Sequence, residues 1–176
     1  MESPNHIYDL VNLLDGEYAN TMKYLLFEGS TNVGKTNAII RFAHNLLSNH
    51  GYSCIVGKIP AIGSGKDFQA VLEKAKSSDG LKKVIINSAS DTTDIINDAL
   101  SFTNANSPYD AIISSCREES YLYKHFYTVF NISNSDKVFE IPMAKINHRN
   151  VSLKQHGMKW YKEKTDKLAD YLFINL

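Results

Sequence analysis

Apolar runs of four to six residues recur along the chain, separated by stretches with helical periodicity. The first run, "YLLFEG", leads into "TNAIIRFAHNLLSNHG". There Ala38, Ile39, Phe42, Ala43, Leu46 and Leu47 repeat at helical spacing and Gly51 supplies a stop. "YSCIVGKI" is a second apolar run, bounded by Gly51 and Pro60. "AIGSGKD" then reads as a loop, and "DFQAVLEKAKS" as a short amphipathic helix capped by Asp67. "LKKVIINSASD" is a third strand. "DTTDIINDALSFTNA" is a helix with Ile95, Ile96, Ala99 and Leu100 on one face, and Asp91, Thr92 or Thr93 as its cap. "PYDAIISSC" is a fourth strand, "REESYLYKHFYTVF" a helix and "KVFEIPM" a fifth strand. The tail "WYKEKTDKLADYLFINL" reads as a helix followed by a short final strand, "YLFIN".

Strands that are apolar throughout, rather than alternating, belong to sheets covered on both faces. Alternation of strand and helix with short connections gives parallel βαβ units. The pattern therefore predicts one α/β domain over residues 1–176: a central, mostly parallel sheet of about five strands flanked by helices, with residues 1–20 as an N-terminal helical arm. A length of 176 residues and a hydrophobic share of 43% fit a single domain with a real core.

Charge removes one class of function. Lysine plus arginine and aspartate plus glutamate number 19 each, so no broad basic face for nucleic acid is expected. The two cysteines, Cys54 and Cys116, lie far apart in apolar runs, which predicts buried reduced thiols in an intracellular protein. Residues 1–14 lack a basic region followed by an apolar core, and no apolar run approaches the roughly 20 residues of a membrane span. A cytoplasmic protein without a membrane partner is the expectation.

The chemistry concentrates between the first strand and the first helix. Gly29, Ser30, Thr31, Asn32, Val33, Gly34, Lys35 and Thr36 fit GxxxxGK[ST] without a gap. The glycines let the backbone curl so that successive N–H groups point at phosphate oxygens. The helix that begins near Lys35 turns its positive end to the same place, with Asn37 in its first turn. Lys35 carries a mobile charge for the β- and γ-phosphates, and Thr36 offers a hydroxyl to Mg²⁺. With a strand before it and a helix after it, this stretch resembles the Walker A motif of the P-loop NTPases. The resemblance implies a three-layer P-loop fold that binds ATP with Mg²⁺. No guanine-reading [NT]KxD element is present to favour GTP.

In such a sheet, ligands meet the carboxyl ends of the strands. These ends offer Lys58 on the second strand, Asn87 and Asp91 on the third, Ser114 and Arg117 on the fourth, and Lys145, His148 and Arg149 on the fifth. The acidic residue that usually holds the magnesium water shell at a strand end is replaced by Asn87 and Ser114, leaving Asp91 as the nearest carboxylate. Asp91 is thus the candidate for the metal beside Thr36, or the cap of the following helix. Arg117 and Arg149 are the further catalytic cations. The basic stretch "AKINHRNVSLKQHGMK" is a candidate lid.

Two shorter likenesses bear on the acceptor. "DAIISSCREE" resembles the strand-then-arginine segment of the deoxynucleoside monophosphate kinases, with Ser115 where their aspartate falls. "KLADYLFINL" resembles the close of nucleotide and dephospho-coenzyme A kinases. Together they imply a kinase that phosphorylates a small phosphorylated acceptor, with Lys58, Asp91 and Arg117 around it. "GYSCIVGKIPAIGSG" after the glycine-bracketed turn resembles dethiobiotin synthetase, which implies instead an ATP-dependent ligase using Lys58 for its substrate anion. Related switch ATPases, which dimerise around nucleotide and act through a partner, are the third reading, and a homodimer stays open.

Overall fold

Four consecutive buried residues, Tyr24 to Phe27, form the middle of strand β1 (Lys23–Glu28) and place it deep in the sheet. A computed structural model describes residues 21–75, 81–118 and 120–176. The arm expected over residues 1–20 lies outside them. Helix α1 (Lys35–Asn49) follows, then β2 (Tyr52–Gly57), β3 (Gln69–Lys74), β4 (Lys83–Asn87), α2 (Thr93–Ala105), β5 (Ala111–Cys116), α3 (Tyr121–Val129), β6 (Lys137–Pro142) and α4 (Val151–Ile174).

The six strands form one sheet in the order β2-β3-β4-β5-β1-β6. β1 pairs in parallel with β5 and with β6, and β4 with β5. β3 is antiparallel to both β2 and β4, so it alone runs backwards. Side chains alternate between two cores, as a covered strand requires. Leu25 and Phe27 face α1 and α4, while Tyr24 and Leu26 face α2 and α3. Fully burying side chains of this size stabilises the fold by about 1.5–3 kcal/mol each. The architecture is a three-layer α/β sandwich.

Three expectations fail, each for a physical reason. The helix predicted from Asp67 is strand β3. Ala70, Val71 and Leu72 are all buried, with Leu72 in one core and Val71 in the other, a demand that only a strand's alternation meets. The final strand "YLFIN" is the end of α4. Thr165, Ala169 and Phe173, four apart, are the buried residues, and that spacing carries the helix to Ile174. The apolar run of β2 is not covered on both faces. β2 is an edge strand, and only Tyr52 in it is buried.

Cys54, predicted to be buried, is therefore exposed, whereas Cys116 is fully buried at the end of β5. Burial, with the Glu28 and Glu140 carboxylates nearby, pushes the Cys116 thiol up to about 12. A thiol reagent is expected to modify Cys54 alone in the native chain and both cysteines after unfolding. Comparably fast labelling of both native thiols would contradict the packing of β5.

Candidate functional site

The turn over residues 29–36 is built from two close approaches and one buried charge. Gly29 leaves β1 beside β6, where Met143 N donates to Glu28 O at 2.6 Å. A Cβ on Gly29 would lie 2.6 Å from Met143 O, so no side chain fits. Gly34, at φ 95°, is the N-cap of α1 and brings no side chain to the helix end. The other described helices are capped differently: Thr92, Ser120 and Asn150 each accept from a backbone N–H of their helix. The amino end of α1 is thus left with donors directed at whatever occupies the turn.

Lys35 is 7% exposed, and its Nζ donates to Gly29 O and Ser30 O, both at 2.8 Å. Its pKa is lowered, first by burial and then by the Arg117 guanidinium, against the opposing pull of Asp91 and Asp67. The neighbouring Thr36 hydroxyl donates to Asp67 Oδ1 at 2.8 Å. Ser88 Oγ donates to the same oxygen at 3.3 Å and accepts from Phe68 N at 2.8 Å.

The neutral strand-end residues are occupied with each other. Asn87 Nδ2 donates to Ser114 Oγ at 3.1 Å and to Ala89 O at 2.7 Å, with Asn87 and Ser114 both buried. Asp91 does not cap α2, because Thr92 does. Asp91 Oδ1 instead lies 3.0 Å from Arg117 Nη2, while Arg117 Nη1 donates to Thr31 Oγ1. Arg117 Nε is buried and finds no partner among the described residues.

Three clefts surround this constellation. A polar one of about 340 Å³ is lined by Lys35, Thr36, Asn37, Asp67, Asp91 and the Ser88–Ser90 segment, among others. A larger one of about 420 Å³ is lined by the apolar Val33, Ile62, Met143, Ile146, Met158 and Tyr161 and by the basic Arg41, Lys145, Lys154 and Lys162, among others. The third, about 520 Å³, lies between Ser30, Asp91, Arg117, Glu118, Ser120 and Tyr121.

The structure thus brings together Ser30, Thr31, Asn32, Val33, Gly34, Lys35, Thr36, Asn37, Asp91 and Arg117. It does not bring Lys58 or Arg149. Lys58 is exposed beyond the end of β2 and lines none of these clefts, because β3 inserts between β2 and the strands that carry the turn. Arg149 is exposed immediately before α4 and lines none of them either. The candidate lid is mostly the first turns of that helix. Asn150 caps it, and Lys145 and Lys154 reach the apolar cleft.

Asp67 is the residue that sequence reasoning missed. "GSGKD" placed an acidic residue in a loop, and nothing local tied that loop to Thr36, 31 positions earlier. Among the described residues no three His, Cys, Asp or Glu side chains converge to hold a metal. No described helix is long and apolar enough to cross a membrane. No family model matches the chain, and neither a curated protein nor a solved structure does.

Gly29→Ala is expected to push the end of β6 away from β1 and to destabilise the fold by about 1–3 kcal/mol, the usual range for overpacking. Chemical denaturation checks it; an unchanged midpoint would show that this strand end yields freely.

Proposed function

We propose that the chain is a P-loop phosphotransferase that binds ATP with Mg²⁺ at residues 29–36 and passes the γ-phosphoryl group to a small phosphorylated acceptor. The observation that carries this reading is the arrangement of Lys35 and Thr36. A nearly buried ammonium is folded back onto two carbonyls of the turn, at a helix end without a side-chain cap, with a hydroxyl beside it that donates to a carboxylate. Carbonyl oxygens are weaker partners than phosphate oxygens, so an incoming polyphosphate can take over the lysine without leaving a buried charge unpaired. The apolar cleft next to Val33 suits the base and sugar, and its lysines suit the outer phosphate charge.

The donor set fits magnesium. The Thr36 hydroxyl and nearby carboxylates are hard oxygen ligands, and Mg²⁺ commonly takes only one or two protein groups with phosphate and water. When bound, the ion neutralises charge on the β- and γ-phosphates. The chain's own contribution is positioning and fixed charge. The backbone of the turn holds the phosphates, Lys35 moves to the β/γ oxygens, and Arg117 meets the charge that builds up on the transferred group. Asp91 holds Arg117 at that edge.

The third cleft favours a kinase over a bare hydrolase, because it offers an acceptor space bounded by the turn itself and by Arg117. The ligase reading depends on Lys58 at the reaction centre and loses its support with that residue on the far side of β3. The switch reading rests on one observation, that the β2–β3 connection contributes Ile62, Gly65 and Asp67 to the two nucleotide clefts.

Lys35→Ala is expected to weaken ATP binding by roughly ten- to hundredfold, the worth of about 1.5–3 kcal/mol for a charged hydrogen-bonding group. Calorimetric titration measures it, and an unchanged affinity would overturn the proposed site. Incubation with ATP and a panel of nucleoside monophosphates is expected to give ADP and a diphosphate for at least one acceptor. ADP formed at the same rate with and without every acceptor would favour hydrolysis.

A further inference from the structure

β3 runs against the five other strands, so it begins at the end of the sheet where β1, β4 and β5 finish. The loop that enters β3 therefore delivers its last residues to the mouth of the turn. Asp67 is two residues before Gln69, the first residue of β3, and its Oδ1 accepts from Thr36 Oγ1 at 2.8 Å and from Ser88 Oγ at 3.3 Å. Further bonds fix the loop around it. Phe68 N donates to Ser88 Oγ at 2.8 Å, and Gly65 N donates to Asn37 Oδ1 at 3.0 Å on the first turn of α1.

We propose that Asp67, rather than Asp91, is the carboxylate that anchors the nucleotide's magnesium beside Thr36. The inference rests on the nucleotide-binding reading given above. Adjacent corners of an octahedron with arms of about 2.0–2.1 Å lie about 2.9 Å apart, and Thr36 Oγ1 and Asp67 Oδ1 are already at that separation. Asp91 is committed elsewhere, since its Oδ1 is paired with Arg117 Nη2 at 3.0 Å. Releasing it to a metal would leave that guanidinium with Thr31 as its remaining side-chain partner among the described residues. The two carboxylates at the mouth of the turn thus divide the work. Asp67 serves the metal, and Asp91 is a positioning residue for Arg117. The site has no acid at the ends of β4 and β5 because the reversed strand supplies one from its beginning.

The test is ATP affinity of the full chain by calorimetry, with Mg²⁺ in excess and with EDTA, for the native sequence, Asp67→Asn, Asp91→Asn and Lys35→Ala. Mg²⁺ is expected to tighten ATP binding to the native chain. Asp67→Asn is expected to match the native affinity in EDTA and to lose roughly ten- to hundredfold of the Mg²⁺ gain. Asp91→Asn is expected to keep that gain. The native-like EDTA affinity itself reports that the Asp67 variant is folded, and a drop in both conditions together would overturn the metal role. So would a full gain in Asp67→Asn, a gain lost in Asp91→Asn alone, or no gain in the native chain. Failure of the underlying reading looks different: no ATP binding to the native chain in either condition, or binding that Lys35→Ala leaves unchanged.

Discussion

A buried ammonium has to be met by oxygen, and around Lys35 most of the site is arranged to meet it. Its Nζ is held by the carbonyls of Gly29 and Ser30, which can face inward because β1 stops against β6 and the chain turns without a side chain at position 29. Burying a charge without partners would cost many kcal/mol, so the turn and the lysine hold each other in place. Asp67, Asp91 and Arg117 then set the local field, with burial first and the nearby guanidinium second lowering the lysine pKa and the two carboxylates restoring part of it. Phosphate oxygens, which carry more negative charge than carbonyls, are the partners that the proposed function assigns to this lysine.

The second constraint is the direction of β3. Five strands run one way, so their carboxyl ends lie on the same side of the sheet as the turn, and the one reversed strand brings its amino end to that side. That reversal moves β2, with Lys58 after it, to the margin of the sheet, and it draws the β2–β3 loop over the polar and apolar clefts. Asn87 and Ser114 close a neutral hydrogen bond between β4 and β5. The same pair of strands sets Asp91 against Arg117. The chemistry at the centre and the make-up of the edge thus follow from one choice of strand direction.

What the sequence made legible divides along the range of the interactions. The 29–36 turn could be read because its chemistry is contiguous: glycine, lysine and threonine at fixed spacing between an apolar run and a helical one. The five parallel strands could be read from their apolar runs, which in β1, β4 and β5 reflect burial on both faces. β3 could not, since "QAVLEK" holds three buried residues, too few to separate a strand from one turn of an amphipathic helix. Asp67 was hidden behind that error, and its bond to Thr36 exists only once β3 is placed. Lys58 was misplaced because a strand's own residues say little about which neighbour it takes. Arg117 and Asp91 were both picked out from strand ends, yet their ion pair depends on β4 and β5 being adjacent, which neither segment states alone.

Amide hydrogen exchange of the full chain with and without Mg·ATP tests the central claim most directly, because it reports where a nucleotide sits as well as whether it binds. Slowed exchange is expected in peptides covering residues 29–37 and 62–68, the turn and the loop that faces it. Unchanged exchange there at saturating nucleotide, or protection confined to another part of the sheet, would contradict the account.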